Sequence, residues 1–205
     1  QVVNAVQYAH SHLLVHGELR LTNILVTDEG VVKLIDFGLG IPADLSARAN
    51  NESDNPAYAS PERVRNEPLS TSSDLFSLGA ILYTLTTDLL PYHSFQTQSS
   101  PLSLSHQRAI VLNETPIRPS TAPIRSEFAQ SIGANLSTLR NHLADGIDEI
   151  ILTAMARDPH ERYDAARMFA NDMRAWLTGA PVSVCPPSRW YAVKKFVGRN
   201  RGGVA

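Results

Sequence analysis

The sequence is short of four things that would have narrowed its class at once. It has a single cysteine, Cys185, in 205 residues, which excludes an internal disulfide and any metal site built from several thiolates. It has no apolar run near the roughly 18–20 residues that a membrane span needs. Its opening residues also lack the charged-then-apolar pattern of a secretory leader. It has no strong charge of either sign: 18 Lys and Arg against 20 Asp and Glu leave a formal net charge of −2, so no global field recruits nucleic acid. The first residue is Gln1 rather than Met, as suits a fragment of a longer chain. What remains is globular composition, 43% apolar and 19% charged, enough for one large domain or one lobe of something bigger. The charge is unevenly spread. Ser188 to Ala205 carries five basic residues (Arg189, Lys194, Lys195, Arg199, Arg201) and no acid, so the rest of the chain is distinctly acidic.

Periodicity outlines the elements. Val2, Val3, Val6, Ala9 and Leu13 fall near one face of a helix ending at about Leu14. Two short extended runs, Ile24–Val26 and Val31–Ile35, flank Thr27-Asp28-Glu29-Gly30 and predict a β-hairpin. Gly38 and Gly40 then break the pattern, and Ile41 to Pro56 reads as a polar, mobile loop. Asp74 to Thr86, preceded by Ser73, predicts a buried central helix with Leu75, Leu78, Ile81, Leu82 and Leu85 inward. Further helices are expected around Ser105–Leu112, Ile147–Met155 and Tyr163–Leu177, the last stopped by Gly179 and Pro181. The fold class is therefore mainly α with a small β-hairpin.

Three clusters carry the chemistry: His16-Gly17-Glu18-Leu19-Arg20-Leu21-Thr22-Asn23, then Asp36-Phe37-Gly38 after an apolar strand, then Ser60-Pro61-Glu62. In that order and spacing they resemble the catalytic loop, the metal-binding Asp-Phe-Gly and the Ala-Pro-Glu of a protein kinase domain. Ser73-Asp74-Leu75-Phe76-Ser77-Leu78-Gly79 is similar to the kinase central helix, and Asp158-Pro159-His160-Glu161-Arg162-Tyr163 to a late kinase motif. Tyr58-Ala59-Ser60-Pro61-Glu62 and Trp176-Leu177-Thr178-Gly179-Ala180-Pro181-Val182 look most like bacterial Ser/Thr kinases. The resemblance implies a kinase-like C-terminal lobe over 1–180, with 181–205 as a basic tail.

The resemblance also implies roles. Phosphoryl transfer depends on positioning and charge neutralisation. Asp36 and Asn23 would hold Mg2+ and with it ATP, because magnesium prefers hard oxygen donors. Glu18 would accept the hydroxyl proton of a protein Ser or Thr, and Arg20 would neutralise the moving phosphoryl group. Asp74 would hydrogen-bond the catalytic-loop backbone from beneath, and Arg162 would pair with Glu62 in a buried ion pair. His16 reads as a packing and hydrogen-bonding residue of the loop. His10, His12, His93, His106, His142 and His160 show no metal-ligand spacing. Ser46, Ser53, Ser60 and Thr71 are candidate phosphoacceptors.

The motifs depart from the family at one place above all. Gly17 stands where the family has Arg, Glu18 for Asp, Arg20 for Lys, Leu21 for Pro and Asn55 for Thr. Glu is a methylene longer than Asp, and a misplacement of about 1 Å can cost on the order of 100-fold in rate. Upstream of the catalytic loop these residues hold no Gly-rich loop, strand Lys or helix Glu, so the N-terminal lobe is missing and the isolated chain is expected to have negligible kinase activity. The other reading is a pseudokinase or truncated remnant acting as a binding scaffold. The tail, with Trp190-Tyr191 and Lys194-Lys195-Phe196, suits either a solvated end or a juxtamembrane segment. The corresponding expectation is a cytoplasmic lobe whose parent is anchored to the inner membrane. A lobe without its partner is also expected to expose apolar surface near Leu25, Val32 and Leu34.

Overall fold

The computed structural model of the chain describes residues 1–37, 56–92, 94–95 and 102–185. Gly38, Gly40, Ser46, Ser53, Asn55, His93 and the basic tail from Ser188 lie outside them. The described residues form eight α-helices and one two-stranded sheet: α1 (Val2–Ser11), β1 (Ile24–Val26), β2 (Val32–Leu34), α2 (Pro61–Val64), α3 (Thr71–Thr87), α4 (Leu104–Asn113), α5 (Ser126–Ser131), α6 (Leu136–His142), α7 (Asp148–Ala154) and α8 (Ala166–Leu177). The architecture is mainly helical with a small antiparallel hairpin, as the sequence predicts. Among the described residues no helix is long and apolar enough to cross a membrane.

α3 is the hub. Ser70 starts it, its backbone N–H donating to Ser73 Oγ at 3.1 Å, so the helix begins three residues before the expected Asp74. It ends at Asp88, in the left-handed region at φ 59°, a conformation Asp tolerates better than most residues. Eleven of its 17 residues are buried, because α1, α7 and α8 all pack against it. The α3–α7 crossing is close at Gly79: a Cβ there would meet Met155 Cγ at 2.8 Å and Ala154 Cβ at 2.9 Å. Leu85 departs from the expected inward face and is 59% exposed, because Tyr83 and Thr87, both fully buried, set the inward face of the last turns and leave Leu85 on the outer side. Leu13 departs too. α1 stops at Ser11, and Leu13 lies beyond it at φ 60° with 95% of its surface exposed.

The hairpin pairs Ile24 with Leu34, Leu25 with Lys33 and Val26 with Val32. Gly30 closes its turn at φ 75°, donating its N–H to Thr27 O at 2.9 Å; a side chain at that backbone angle would be strained. The first residue of the chain secures the hairpin to α1. The Gln1 side chain accepts from Val32 N at 2.9 Å and donates to Gly30 O at 3.1 Å. Leu25, Val31 and Ile35 share one face of the hairpin with Lys33 and are all exposed, while on the other face Val26 is exposed and Val32 and Leu34 are half-buried.

Three helices were not legible from periodicity, the single-turn α2 and the short α5 and α6. For α5 and α6 the reason is burial. Each buries one residue, Ala129 and Leu139 respectively, too few to write a 3.6-residue repeat. α8 begins at Ala166 rather than Tyr163. Tyr163 instead packs edge-on against Phe169, with ring centroids 5.5 Å apart, and donates its hydroxyl to buried Asp172 at 3.0 Å. Cys185 is half-buried against the core and is in no disulfide.

Candidate active site

The segment 16–23 is an irregular loop, so its backbone groups need partners from elsewhere. Asp74, buried on the first turn of α3, supplies the largest share. Its carboxylate accepts His16 N at 2.9 Å and Gly17 N at 2.8 Å. A third contact comes from His10 Nε2 on α1, 2.7 Å away. This is the support from beneath that the kinase resemblance implies, with His10 as an addition. His10 lies six residues before His16, a spacing that says nothing until α1 is seen to pack on α3.

His16 is buried and faces two ways. Its Nε2 lies 3.0 Å from Ile35 O, and its Nδ1 accepts Glu18 N at 3.3 Å. A carbonyl on one side and an N–H on the other assign the neutral tautomer with the proton on Nε2. The imidazole also packs on Phe37, with ring centroids 4.4 Å apart. Burial lowers its pKa from the ordinary 6.5, against the opposing pull of Asp74, of the backbone hydrogen bonds and of Glu18. As the pH falls, the unfolded chain therefore takes up this proton before the folded chain does. Stability associated with His16 is full above about pH 6.5 and declines below it, down to the depressed folded value. Urea denaturation at about pH 7.5 and about pH 5.5 should show the chain weaker at the lower pH. The difference should shrink in a His16→Gln variant, and an unchanged slope would count against the assignment.

The hairpin brings Asn23 and Asp36 to one end. Ile35 N donates to Asn23 O at 3.1 Å, so Asp36 lies one residue beyond the position that faces Asn23. Asn23 is buried, and its Nδ2 donates to Glu18 O at 2.9 Å, which leaves Oδ1 as the acceptor of that amide. Asp36 is exposed, and its φ of 63° turns the chain sharply after β2. A non-glycine residue held in this region is uncommon.

Glu18 and Arg20 point into a cleft lined by Gly17, Glu18, Leu19, Arg20, Tyr58, Ala59, Arg63 and Ser77. Arg20 Nη2 donates to Glu18 Oε1, and Arg63 Nη2 lies 3.4 Å from the same oxygen. Both guanidinium contacts fall on Oε1, and Oε2 takes no hydrogen bond among the described residues. Arg63 Nη1 also donates to Gly17 O. Sequence reasoning missed Arg63, because nothing local ties a residue of α2 to a loop more than forty positions earlier. Asn55, which stands where the family has Thr, lies outside the described residues.

The wall opposite the loop is firmly held. Ser60 caps α2, its Oγ accepting Arg63 N at 3.3 Å, and Ser77 Oγ donates to Tyr58 O at 2.8 Å. Glu62 meets Arg162 in two parallel bonds, Nη1 to Oε1 at 2.7 Å and Nη2 to Oε2 at 2.9 Å, the pairing the resemblance implies. Ser73 Oγ donates to Glu62 Oε1 at 2.7 Å. Burial alone would raise the Glu62 carboxyl, but the hydrogen bonds and charge of Arg162, helped by Ser73, outweigh it and bring it below the usual carboxylate value.

A family model for the protein kinase domain matches residues 1–173. The chain belongs to the protein kinase family. Among similar curated proteins, one named a probable serine/threonine-protein kinase in Corynebacterium efficiens is 30% identical over 176 residues, covering 84% of this chain and 24% of that protein. A probable serine/threonine-protein kinase PknB of Bifidobacterium longum is 30% identical over 182 residues, 87% of this chain and 23% of that protein. Serine/threonine-protein kinase PknB of Mycobacterium tuberculosis is 27% identical over 188 residues, 86% and 25% respectively. The chain thus spans about a quarter of the length of the curated kinases it matches. The crystal structure of the PknI kinase domain of Mycobacterium tuberculosis shares the fold, with a TM-score of 0.54 at 21% identity over 86% of this chain and 51% of that one. The kinase family generally uses magnesium and ATP and acts on proteins.

Proposed function

We propose that the chain is the C-terminal, acceptor-binding lobe of a bacterial-type Ser/Thr protein kinase domain. In this reading Glu18 is the base, Arg20 the phosphate-neutralising cation, and Asn23 and Asp36 the metal ligands. The observation that carries the reading is the carboxylate of Glu18. Two guanidiniums converge on its Oε1, so the second oxygen remains for an acceptor hydroxyl. Glu18 would take the hydroxyl proton as the acceptor oxygen bonds to the γ-phosphorus and the bond to the β–γ bridging oxygen breaks, releasing ADP. Arg20, beside it, would offset the negative charge of the transferring group.

The donor set fits magnesium: an exposed carboxylate at Asp36 and an amide oxygen at Asn23, both hard oxygen ligands at one end of the hairpin. When bound there with ATP, the ion would neutralise phosphate charge. Among the described residues no group of three or more His, Cys, Asp or Glu could hold a metal, so phosphate oxygens and water would complete its shell. The open apolar face of the hairpin supports the lobe assignment, since exposed Leu25, Val31 and Ile35 suit an adjoining element. Arg20, a cation at that place, favours Ser/Thr over Tyr acceptors.

The scaffold reading draws on the same pair: a carboxylate and a guanidinium closed on each other leave less of either for catalysis. The deciding test is magnesium–ATP titration by calorimetry, followed by phosphotransfer to a Ser/Thr protein before and after Glu18→Ala. The parent protein should bind magnesium–ATP and lose about 100-fold or more in rate with Glu18→Ala. The 205-residue chain alone, which holds no Gly-rich loop, should show negligible transfer. Nucleotide binding with transfer that ignores Glu18→Ala, or no transfer by the parent at all, would favour the scaffold.

A further inference from the structure

We propose that Arg63 is a positioning residue of this site, tying the Glu18 carboxylate and the Gly17 carbonyl to the anchored wall of the cleft. The proposal rests on the reading of Glu18 as the base. Its physical origin is the extra methylene of Glu18. A Glu side chain has one more rotatable bond than Asp and more rotamer freedom to lose, so an unsupported Glu would sweep its oxygens across the cleft. The Arg20 contact joins Glu18 to a residue two positions away on the same loop, so that contact does not register the carboxylate against the opposite wall of the cleft.

Arg63 supplies that register. It belongs to α2, and its neighbour Glu62 is fixed by the two bonds from Arg162 and the one from Ser73. Adjacent residues in the first turn of a helix point to different sides. Glu62 reaches down into the core pair while Arg63 reaches across to the loop, donating to Gly17 O and approaching Glu18 Oε1 at 3.4 Å. The planar guanidinium serves both acceptors at once, which a Lys ammonium reproduces only in part. Glu18, Arg20 and Arg63 are each only partly accessible to solvent, with side-chain exposures between 17 and 20%. Charge pairing here is therefore less screened than at an open surface. The outcome is a carboxylate whose Oε1 is held from both walls and whose Oε2 is presented to the cleft.

The test has two independent readouts. The first is nitrogen-15 NMR of the arginine side chains in the 205-residue chain. Arg63 should give slowed guanidinium rotation with resolved Nη signals, and Glu18→Gln should collapse them towards the averaged form. Arg63 signals unchanged by Glu18→Gln would overturn the proposal. The second is phosphotransfer by the parent protein. Arg63→Met should lower kcat about 10- to 100-fold with little change in the KM for ATP, and Arg63→Lys should restore part of the loss. If transfer depends on Glu18 but Arg63→Met leaves kcat unchanged, the proposal fails while Glu18 stands as the base. If transfer is independent of Glu18, the base assignment fails instead, and the spectrum alone decides whether Arg63 holds Glu18.

Discussion

Replacing Arg162 with Leu is expected to cost about 3–5 kcal/mol of folding stability, the usual penalty for removing one member of a buried ion pair. The Arg162 side chain is fully buried, and beyond Glu62 it donates to three backbone carbonyls: Ala156 O at 2.8 Å, Ser72 O at 2.9 Å and Arg157 O at 3.2 Å. Its guanidinium also lies 5.1 Å from the ring centroid of Phe76. The substitution therefore strands a carboxylate and several carbonyls together. Single domains have only about 5–15 kcal/mol in hand, so the variant should sit near its unfolding threshold. Glu62→Gln should cost less, because a neutral amide can still take one bond from Arg162. The pair also sets an acid limit. The folded carboxyl of Glu62 lies below its ordinary 4.5, so its contribution is present above that value and is lost as pH falls through the folded one. Urea midpoints at neutral pH measure the first claim. A loss under about 1 kcal/mol would fit an exposed pair and contradict the buried geometry.

Asp74→Ala is expected to be the second most damaging change, at about 3 kcal/mol, because a buried donor left without its acceptor costs about 1–3 kcal/mol. Three contacts end on this carboxylate, the N–H groups of His16 and Gly17 and the imidazole of His10. The damage should be local as well as global. Amide exchange at His16 and Gly17 should quicken by more than the overall loss of stability explains, because both hydrogen bonds vanish even in the folded state. Asp74→Asn, which keeps an acceptor oxygen, should retain one of the two amides. If exchange at His16 and Gly17 rises only in step with the rest of the core, the loop is held by something other than Asp74.

These two side chains were legible in the sequence, and for a shared reason. Asp74 and the Glu62–Arg162 pair belong to motifs whose spacing carries the fold, so recognising the motif predicts the contact. The hairpin was legible from chemistry alone, through Gly30 and two alternating apolar runs. Where local pattern had to carry the prediction without a motif, it did less well. Leu13 and Leu85 fit an inward helical face by count, but Leu13 lies past the end of α1 and Leu85 on the side of α3 away from buried Tyr83 and Thr87. α5 and α6 bury too little to be seen. Arg63 and His10 were invisible for another reason. Each acts through a partner brought near by tertiary packing, and a single sequence contains no trace of that proximity.

Gln1 has a consequence for how the molecule meets its neighbours. The N–H of Val32 points away from β1, on the free border of the hairpin, where an extended segment from another molecule could add itself as a third strand. The Gln1 amide already sits there, giving an oxygen to Val32 and a hydrogen to the Gly30 carbonyl, much as a strand's own peptide group would. One side chain thus plugs the place where intermolecular β-addition would begin, beside the very apolar surface that would otherwise encourage it.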